Sequence, residues 1–488
     1  MEILIKKNKD RDSFFSGFFW KFNEQIASQL VSFVVSIVLA RILSPKDYGI
    51  VSLVNVFIVI ANVFVTSGFS AALIQKKDAT QLDFSTIFHC SLIFSFVIYG
   101  LIYLCAPLIG EFYRNDSLVW VVRVFALQLP LSSFNSIQQA YVSRHMAFRK
   151  IFVSTTIATI LSGIFGILFA INDFGVWALV FQTILSTTFQ TIVLFLEIPW
   201  RPKFEFSMQS ARELIGYGWK VFGASFLGSF FNELRNLIIG RFYSPADLAY
   251  YNRGSRMPDL VANNIDSTIA SVLFPVLSKH SDNYDKLKSM IRRSIRTSTF
   301  IIMPLMFGLA IAAKPVTQIL LTDKWLPSVP FMQCLCISGA FGSISNANMQ
   351  VIKASGRSDI LLKLELIKKP LYMIFLVVSI KISVFAVAIS MAAYNIVGML
   401  INVKPNKKLI SYSYKEQFRD IFPALILSIV MSLCILPIQF LKLQPFLELL
   451  LEIILGAVLY IGGACIFKLE PFLYLLEYIK SFFSTRMK

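Results

Sequence analysis

The sequence contains few charged residues and almost no histidine. Lys, Arg, Asp and Glu make up 15% of its 488 residues, whereas an average soluble domain carries about 25%. The three histidines, His89, His145 and His280, stand far apart and form no set of metal ligands. No Ser-His-Asp arrangement, glycine-rich phosphate loop or pair of acids on a soluble face is present either. We therefore predict no catalytic residues, no metal and no cofactor.

Cysteine and long polar loops are scarce as well. The 6 cysteines all fall in apolar runs without a CxxC or zinc-type spacing, so we interpret them as small apolar side chains of a helical core. The longest predicted loop spans only residues 277–296, which leaves no room for a soluble domain. The chain is therefore expected to act within a membrane or at its edges.

Apolar residues are abundant. They make up 56% of the chain, including 46 phenylalanines, and the mean hydropathy is +0.67. Runs 151–172, 174–196 and 421–441 contain no charge, and each exceeds the roughly 20 residues that cross the hydrocarbon layer of a bilayer. Asp173 alone separates the first two runs, which predicts a tight helical hairpin.

The hydropathy pattern predicts an all-α integral membrane protein with fourteen transmembrane helices. The predicted spans are 18–40, 48–72, 86–109, 118–142, 151–172, 174–196, 214–240, 250–276, 297–313, 328–352, 361–380, 382–403, 421–441 and 446–467. Span 361–380 carries Lys363, Lys368 and Lys369 in its first half, and we expect these lysines to reach the adjacent membrane surface.

The distribution of charge predicts the topology. The formal net charge is +18, which by itself is compatible with nucleic-acid binding. With the N-terminus in the cytoplasm, however, cytoplasmic segments hold 32 of the 46 Lys and Arg residues and the opposite face holds 8. This bias over short loops places both termini inside and predicts no nucleic-acid partner. The N-terminal lysines precede a full-length span without a small-residue cleavage site, which indicates an uncleaved first helix.

Residues 21–49 combine a membrane-length apolar helix with one polar stripe, and parts of this stretch recur later. At a shift of 200 positions, Arg41, Ser44, Pro45 and Asp47 correspond to Arg241, Ser244, Pro245 and Asp247. At a shift of 211, Ser132, Asn135 and Gln139 correspond to Ser343, Asn346 and Gln350. We interpret the pattern as an internal duplication. The repeated Arg, Ser, Pro and Asp residues are interpreted as helix-end and turn residues.

The two copies start six crossings apart, so they share the same orientation in the membrane. This predicts two six-helix bundles in parallel repeat around a central cleft, with two additional C-terminal helices. The predicted domains are 1–200 for the first bundle, 201–405 for the second, and 406–488 for spans thirteen and fourteen with a cytoplasmic tail. The loop 277–296 lengthens the second copy and is expected to form a basic amphipathic helix on the membrane surface.

Charged and polar residues inside the spans are the candidate site. A charge at mid-bilayer costs roughly 2.5–3.5 kcal/mol on insertion scales, so each requires a partner or a water-filled face. Arginine suits planar anions such as phosphate, and we therefore predict an anion site formed by Arg235, Arg253, Arg256 and Arg123. The predicted polar lining of the cleft consists of Glu24, Gln25, Ser28, Ser32, Gln128, Asn135, Asn232, Asn236 and Asn263. Candidates for ion or proton coupling are Glu233, Asp259 and Asp266. The alternative is structural: polar residues often join helix to helix, and the acids would simply neutralise the arginines.

Four segments resemble a known family. They are ARILSPKDYG at the end of the first span, GFSAALIQKKD after the second, QQAYVSRHMAFRK after the fourth and ASGRSDILLKLELIKKP before the eleventh. They are similar to the Wzx-like polysaccharide flippases of the multidrug/oligosaccharidyl-lipid/polysaccharide (MOP) exporter superfamily, in the subgroup of lipopolysaccharide and teichuronic-acid biosynthesis exporters. The resemblance covers nearly the whole chain and is strongest in the first 150 residues and at 340–370.

The resemblance implies a multi-pass protein of the bacterial inner membrane with a MATE-like fold and a cationic cavity. It implies transfer of an undecaprenyl-diphosphate-linked oligosaccharide from the cytoplasmic to the periplasmic leaflet during polysaccharide biosynthesis. The implied partners are this lipid-linked substrate, membrane lipids and other polysaccharide assembly proteins. The family has no universal catalytic motif, so the site residues above rest on the residues alone.

Two other functions are compatible with a membrane protein of this length. A cation or drug antiporter of the same superfamily would use Glu233, Asp259 and Asp266 as ion sites, but the arginines and the lack of an Asp in the first span oppose it. A membrane-embedded polysaccharide polymerase or ligase would require a substantial outer loop with reactive side chains, and the outer loops here are short.

Overall fold

The computed structural model describes residues 28–76, 78–280 and 283–477. Helices make up almost all of this part of the chain, and no strand occurs in it. The all-α class predicted from the sequence is thereby confirmed. The chain divides into two compact units, Met1–Ala249 and Tyr250–Lys488.

The N-terminal unit is built from nine helices within its described residues and the first turn of a tenth. Their bounds are α1 Ser28–Ile42, α2 Pro45–Thr66, α3 Phe69–Gln75, α4 Gln81–Tyr113, α5 Ser117–Phe125, α6 Gln128–Arg144, α7 Phe148–Ile171, α8 Val176–Glu197, α9 Met208–Phe242 and α10 Pro245–Ser278. The tight hairpin predicted around Asp173 is confirmed, since α7 ends at Ile171 and α8 begins at Val176. Asp173 and Gly175 both adopt positive φ in this turn.

The C-terminal unit contains the rest of α10 and eight further helices, followed in the described chain by a helical segment at 470–477. Their bounds are α11 Tyr284–Ile311, α12 Ala313–Leu321, α13 Val329–Ala340, α14 Gly342–Ala354, α15 Ser358–Ile380, α16 Val384–Leu409, α17 Tyr414–Ile435 and α18 Pro445–Ile466. Short 3₁₀ helices cover Asp323–Ser328 and Leu436–Leu441. The core of this unit includes Ile302, Met303 and Cys336, all wholly buried.

Eleven stretches of the described chain are long and apolar enough to cross a membrane, so the predicted total of fourteen is not confirmed. The three remaining predicted spans coincide with α1, α9 and α15. Only residues from Ser28 onward are described in the first. Helix α9 carries Lys220, Glu233 and Arg235, and α15 carries lysines beside Glu365, with Lys368 2.6 Å from its carboxylate. Both helices are long enough to cross a membrane, but charged and polar residues lower their hydropathy.

The segment after residue 283 differs from its prediction. The sequence suggested a separate amphipathic helix on the membrane surface, but this segment is the first half of the continuous helix α11. Its apolar residues Leu287, Ile291 and Ile295 are completely buried in the core of the C-terminal unit. Three apolar residues at i, i+4 spacing form one helix face, and protein covers that face here.

The repeated Ser-Pro-x-Asp sequences have the same local structure. Asp47 Oδ2 accepts hydrogen bonds from the backbone N–H of Ser44 at 3.0 Å and from its hydroxyl at 2.6 Å. The corresponding bonds from Ser244 to Asp247 measure 3.1 and 2.6 Å. Both sequences therefore cap the N-terminus of the following helix, which supports their interpretation as helix-end residues.

Helix α9 packs along α2 within the N-terminal unit. Gly68 and Gly218 come so close that a Cβ on either would lie 2.8 Å from the carbonyl oxygen of the other. Farther along, Phe64 contacts Phe222 and Phe226, with ring centroids 4.6 and 5.3 Å apart. Helix α9 therefore belongs to the N-terminal compact unit, which ends at Ala249. The boundary at residue 200 concerns the proposed repeat and stays a prediction.

Candidate functional site

Helix α10 carries charged and polar residues along much of its length. Arg256, Asp259 and Asn263 are exposed and recur at helical spacing, so they form one stripe along this helix. Ser267 continues the stripe by one more turn and is exposed too. The opposite side, including Ala262 and Ile265, packs against the core of the C-terminal unit. An exposed polar stripe on a helix of this length is compatible with a water-filled path and not with contact to lipid.

The two arginines of α10 have different surroundings. The guanidinium carbon of Arg253 lies 5.3 Å from the ring centroid of Trp325, which is completely buried. The adjacent Gly254 allows this approach, because a Cβ there would come within 2.8 Å of the carbonyl oxygen of Ser328. Arg256 is exposed and has no hydrogen bond or ion pair among the described residues. Arg256 is therefore the guanidinium of this helix that is available to an anion.

Asp266 lies near the middle of α10 beside the start of α14. Its backbone carbonyl accepts a hydrogen bond from Asn346 Nδ2 at 3.2 Å, and Asn346 in turn accepts one from Gln350 at 3.0 Å. In the first copy of the proposed repeat, Gln139 donates to Asn135 at 2.5 Å. The glutamine thus donates a hydrogen bond to the asparagine four residues earlier in both copies, which are related by the shift of 211. This agreement supports the duplication.

On α9, the predicted site residues lie in the half of the helix nearer Phe242. Asn236 Nδ2 donates to Glu233 Oε2 at 2.9 Å, so this amide and this carboxylate hold each other. Asn232 is exposed and Arg235 is half-buried. Arg235 lies seven residues before the end of α9, about 10 Å along its axis. Arg256 lies eleven residues after the start of α10, about 17 Å along that helix.

Arg123 has an aromatic environment. Its guanidinium carbon lies 4.4 Å from the ring centroid of Tyr103 and 5.0 Å from that of Trp120. Its Nε donates to the carbonyl of Tyr103 at 3.4 Å, and Trp120 is 60% exposed. Arginine stacked between an exposed Trp and a Tyr is typical of a membrane interface.

The other predicted cleft residues are distributed over α1 and α6. Ser28 and Ser32 of α1 are half-buried, whereas Glu24 and Gln25 lie outside the described residues. Gln128 donates to the hydroxyl of Thr187 at 3.4 Å, and Asn135 is 5% exposed. Within the described residues, no three His, Cys, Asp or Glu side chains come together in a way that could hold a metal ion.

The structure also shows polar groups that the sequence pattern did not predict. Asp83 is buried and accepts hydrogen bonds from Lys76 at 3.1 Å and from the hydroxyl of Ser210. Lys76 also reaches Glu213 at 3.0 Å. Burial opposes the charge of Lys76, but the bonds to Glu213 and Asp83 outweigh it and raise the pKa of this lysine. This cluster joins the end of α3 to the first turns of α4 and α9.

Two buried acids of α18, Glu448 and Glu452, were not predicted either. The sequence does contain an indication of them, because two acids four residues apart interrupt an apolar run. At the start of α15, Arg357 forms two hydrogen bonds of 2.9 Å with Asp359 in the first turn and lowers the pKa of that carboxyl to about 2. Gly356, with φ of +67°, provides the turn before them.

Comparison with known proteins identifies the family. A family model described as "Polysaccharide biosynthesis protein" matches residues 38–330. The chain is 23% identical over 413 residues to teichuronic acid biosynthesis protein TuaB of Bacillus subtilis, covering 83% of this chain and 85% of that one. It is 22% identical to lipopolysaccharide biosynthesis protein WzxC of Escherichia coli, covering 74% of each chain. It is also 22% identical to succinoglycan biosynthesis transport protein ExoT of Rhizobium meliloti, covering 68% of this chain and 67% of that one.

Solved structures with the same fold are membrane transporters. An inward closed conformation of the lipid II flippase MurJ matches with a TM-score of 0.74 and 15% identity, covering 92% of this chain and 98% of that one. An inward-facing multidrug resistance MATE family transporter of the MOP superfamily matches with a TM-score of 0.61 and 15% identity, covering 79% and 94%. At this identity the likeness concerns the fold, which is that of a multi-pass membrane protein.

Proposed function

The chain belongs to the polysaccharide biosynthesis protein family, and on this basis we propose that it is a flippase for an undecaprenyl-diphosphate-linked oligosaccharide. The substrate moves from the cytoplasmic to the periplasmic leaflet of the bacterial inner membrane and supplies the repeat unit of a surface or secreted polysaccharide. The observation that carries the proposal is the exposed polar stripe of α10 with its available guanidinium, Arg256.

The names of the relatives support the substrate class. TuaB, WzxC and ExoT are named for the biosynthesis of three different polysaccharides, and ExoT is named as a transport protein. MurJ, whose fold this chain shares, is named as a lipid II flippase. A lipid-linked oligosaccharide combines the two kinds of molecule in these names, a polysaccharide and a lipid.

In this proposal the diphosphate binds arginine side chains. Arg256 is the principal contact. Arg235 and Arg253 are proposed to lie at a similar depth in the membrane, and Arg123 nearer its surface. A guanidinium binds phosphate oxygens through two parallel hydrogen bonds, and such charge-assisted bonds are strong in poorly solvated surroundings. The sugars contact the amide and hydroxyl groups of α1, α6, α9 and α10. Glu233, Asp259 and Asp266 supply the negative charge that an accompanying ion or proton requires.

The repeat organisation belongs to the same proposal. Two six-helix bundles, 1–200 and 201–405, change their relative orientation around a cleft, and residues 406–488 supply two additional helices and the tail. Both termini lie in the cytoplasm. Other polysaccharide assembly proteins are the partners that receive the product.

The function itself is tested by deleting the gene in its natural host. We expect the lipid-linked oligosaccharide to accumulate and the mature polysaccharide to disappear, with both restored by a plasmid copy. Extraction of lipid-linked sugars followed by mass spectrometry measures the first, and sugar analysis of the cell surface measures the second. Normal polysaccharide in the deletion strain, or loss of polysaccharide without accumulated intermediate, would contradict the proposal.

The exposed stripe of α10 leads to a prediction about water access. In a variant without its native cysteines, Asn263→Cys and Ser267→Cys should react rapidly with a small polar thiol reagent. The matched substitutions Ala262→Cys and Ile265→Cys should react at least about tenfold more slowly, because those positions pack against the core and a thiol reacts as a solvated thiolate. Equal rates at all four positions would mean that the stripe is not in contact with water.

The charge bias leads to a prediction about topology. Reporter fusions after Lys46, Asp173 and Lys381 should read as periplasmic, and fusions after Arg149, Lys286 and Lys407 as cytoplasmic. Lys286 is the informative position, because it lies in the first turn of the continuous helix α11. A periplasmic signal from a fusion at the C-terminus would rule out the proposed orientation.

A further inference from the structure

The C-terminal unit contains a cavity of about 380 Å³ between α11, α12, α17 and α18. Its lining is almost wholly apolar and includes Leu305, Met431 and Ile453. Leu305 is 49% exposed and Ile453 is 59% exposed, so the cavity opens on an apolar outer surface of this unit. In a membrane protein such a surface faces lipid, and small apolar molecules reach the cavity from the bilayer.

One carboxyl group is aimed into this apolar space. Glu452 lines the cavity, is only 2% exposed, and neither of its carboxyl oxygens has a hydrogen-bond partner among the described residues. The amide of Gln439 lies near it but donates to the carbonyl of Ile311 at 2.7 Å. Glu448, one turn earlier on the same face of α18, is 6% exposed. An unpaired carboxylate in such a place is costly, so the site favours a bound positive charge.

The lining indicates which positive charge fits. Hard metal cations are held by about six or more oxygen ligands. Of the described residues that line the cavity, only Glu452 and Tyr460 carry titratable groups, and α11, α12 and α17 present apolar side chains to it. The hydroxyl of Tyr460 already donates to the carbonyl of Phe300 at 2.8 Å. So few oxygens cannot replace the hydration shell of a metal ion, whereas a proton requires only the carboxylate itself.

We propose that Glu452, with Glu448 beside it, is a proton-exchange site of this membrane protein. The carboxylate takes up a proton to become a neutral carboxyl group and releases it again to water. Glu452 lies seven residues after the start of α18, about 10 Å along the helix, so the path to one membrane surface is short. Proton binding is a property of the cavity alone. A role in driving substrate translocation rests, in addition, on the proposed flippase function.

Dicyclohexylcarbodiimide tests the site directly, because this apolar reagent enters from the bilayer and modifies protonated carboxyl groups. The acid proton moves to a carbodiimide nitrogen while the carboxyl oxygen bonds to the central carbon, and the adduct rearranges to a stable N-acylurea. The purified full-length protein in proteoliposomes is treated over a range of pH and digested for peptide mass spectrometry. We expect modification of Glu452 at mildly acidic pH, and a progressive loss of it as the pH is raised.

The pH dependence separates proton exchange from a fixed protonation state, and a sodium titration separates it from sodium binding. One variant and one control residue show that the modification is specific. Glu452→Gln should abolish the adduct in the peptide that contains residue 452. The variant should have the same size-exclusion elution volume and unfolding midpoint as the wild type. The exposed Glu111 should stay unmodified throughout. Modification that is constant with pH would identify a permanently neutral structural acid, and absence of modification at every pH would identify a charged and satisfied one. Protection by sodium at constant pH and ionic strength would identify a sodium site; each of these three results overturns the proposal.

The role in transport has a separate readout. If Glu452 exchanges protons during translocation, Glu452→Gln should abolish the response of polysaccharide export to external pH while protein levels stay normal. A pH-dependent adduct combined with unchanged export by Glu452→Gln would retain the proton site and remove its role in transport. Since the labelling requires no substrate, its result is independent of whether the flippase proposal holds.

Discussion

Replacing Arg256 with alanine is expected to lower polysaccharide export by roughly 10- to 100-fold, because a hydrogen bond to a charged group contributes about 1.5–3 kcal/mol. Arg256 is exposed on the polar stripe of α10 and has no partner among the described residues. Its removal therefore breaks no described ion pair of the protein. Surface polysaccharide is measured against the amount of protein in the membrane, which should remain normal.

The conservative substitution tests the geometry of binding. Arg256→Lys keeps the positive charge but loses the planar pair of donors, so export should fall to a level between wild type and Arg256→Ala. Arg212 is a matched control, since it is exposed on α9 and likewise has no described partner. Arg212→Ala should export normally. Asp259→Asn should be milder than Arg256→Ala if the acids are only structural partners.

A combined variant tests the proposed anion site as a whole. Alanine at Arg235, Arg253 and Arg256 together removes every guanidinium that the proposal assigns to the deeper contact with the diphosphate. Normal export by this variant at normal expression would show that the diphosphate is recognised elsewhere. Because Arg253 also stacks on the buried Trp325, thermal unfolding of the triple variant must be measured beside export.

The features that the sequence predicted correctly depend on neighbours within a few residues. The helix ends at Ser44–Asp47 and Ser244–Asp247 and the tight turn at Asp173 are all local. The family resemblance, drawn from four short segments, is confirmed by the family match over residues 38–330. Local hydrogen bonding and short motifs can be read from the order of residues alone.

The features that were missed depend on what packs against a side chain from far along the chain. The pattern of Leu287, Ile291 and Ile295 indicates an amphipathic helix, but it does not reveal that protein, and not a membrane surface, covers its apolar face. Arg123 reads as a charge inside a span, and only the position of Tyr103 on α4 reveals its aromatic environment. The cavity that Glu452 lines exists because four helices meet there. None of these arrangements follows from periodicity.

The predicted number of membrane spans was not confirmed for a different reason. Helices α9 and α15 are long enough to cross a membrane, but each carries several charged residues. The energy of inserting such a helix depends on whether its charges reach a partner, a membrane surface or a wet path. Lys368, for example, lies 2.6 Å from Glu365, which reduces the charge of α15 locally. Hydropathy averages cannot include such pairing.

Replacing Asp420 with alanine is expected to destabilise the C-terminal unit more than replacing any other acid of its described ion pairs. The side chain of Asp420 is wholly buried at the beginning of α17 and accepts hydrogen bonds from three side chains. Arg292 donates to its two oxygens at 2.8 and 2.9 Å, Arg296 Nε donates at 2.8 Å, and the hydroxyl of Tyr412 donates at 2.7 Å. This carboxylate joins α11 to α17 and thereby fixes the two C-terminal helices to the rest of the unit.

Removing one partner from a buried ion pair costs about 3–5 kcal/mol, because the remaining charge is left uncompensated. The side chains of Arg292 and Arg296 are 33% and 27% exposed, so solvent screens part of this cost and we expect about 2–3 kcal/mol. The measurement is the midpoint of unfolding of the purified protein in detergent, followed by size-exclusion chromatography of heated samples. Glu470→Gln is the matched control: Glu470 pairs with the same Arg296 but is 72% exposed, so its loss should cost at most about 1 kcal/mol. If Asp420→Ala unfolds at the midpoint of the wild type, or no earlier than Glu470→Gln, the buried carboxylate does not hold α11 and α17 together.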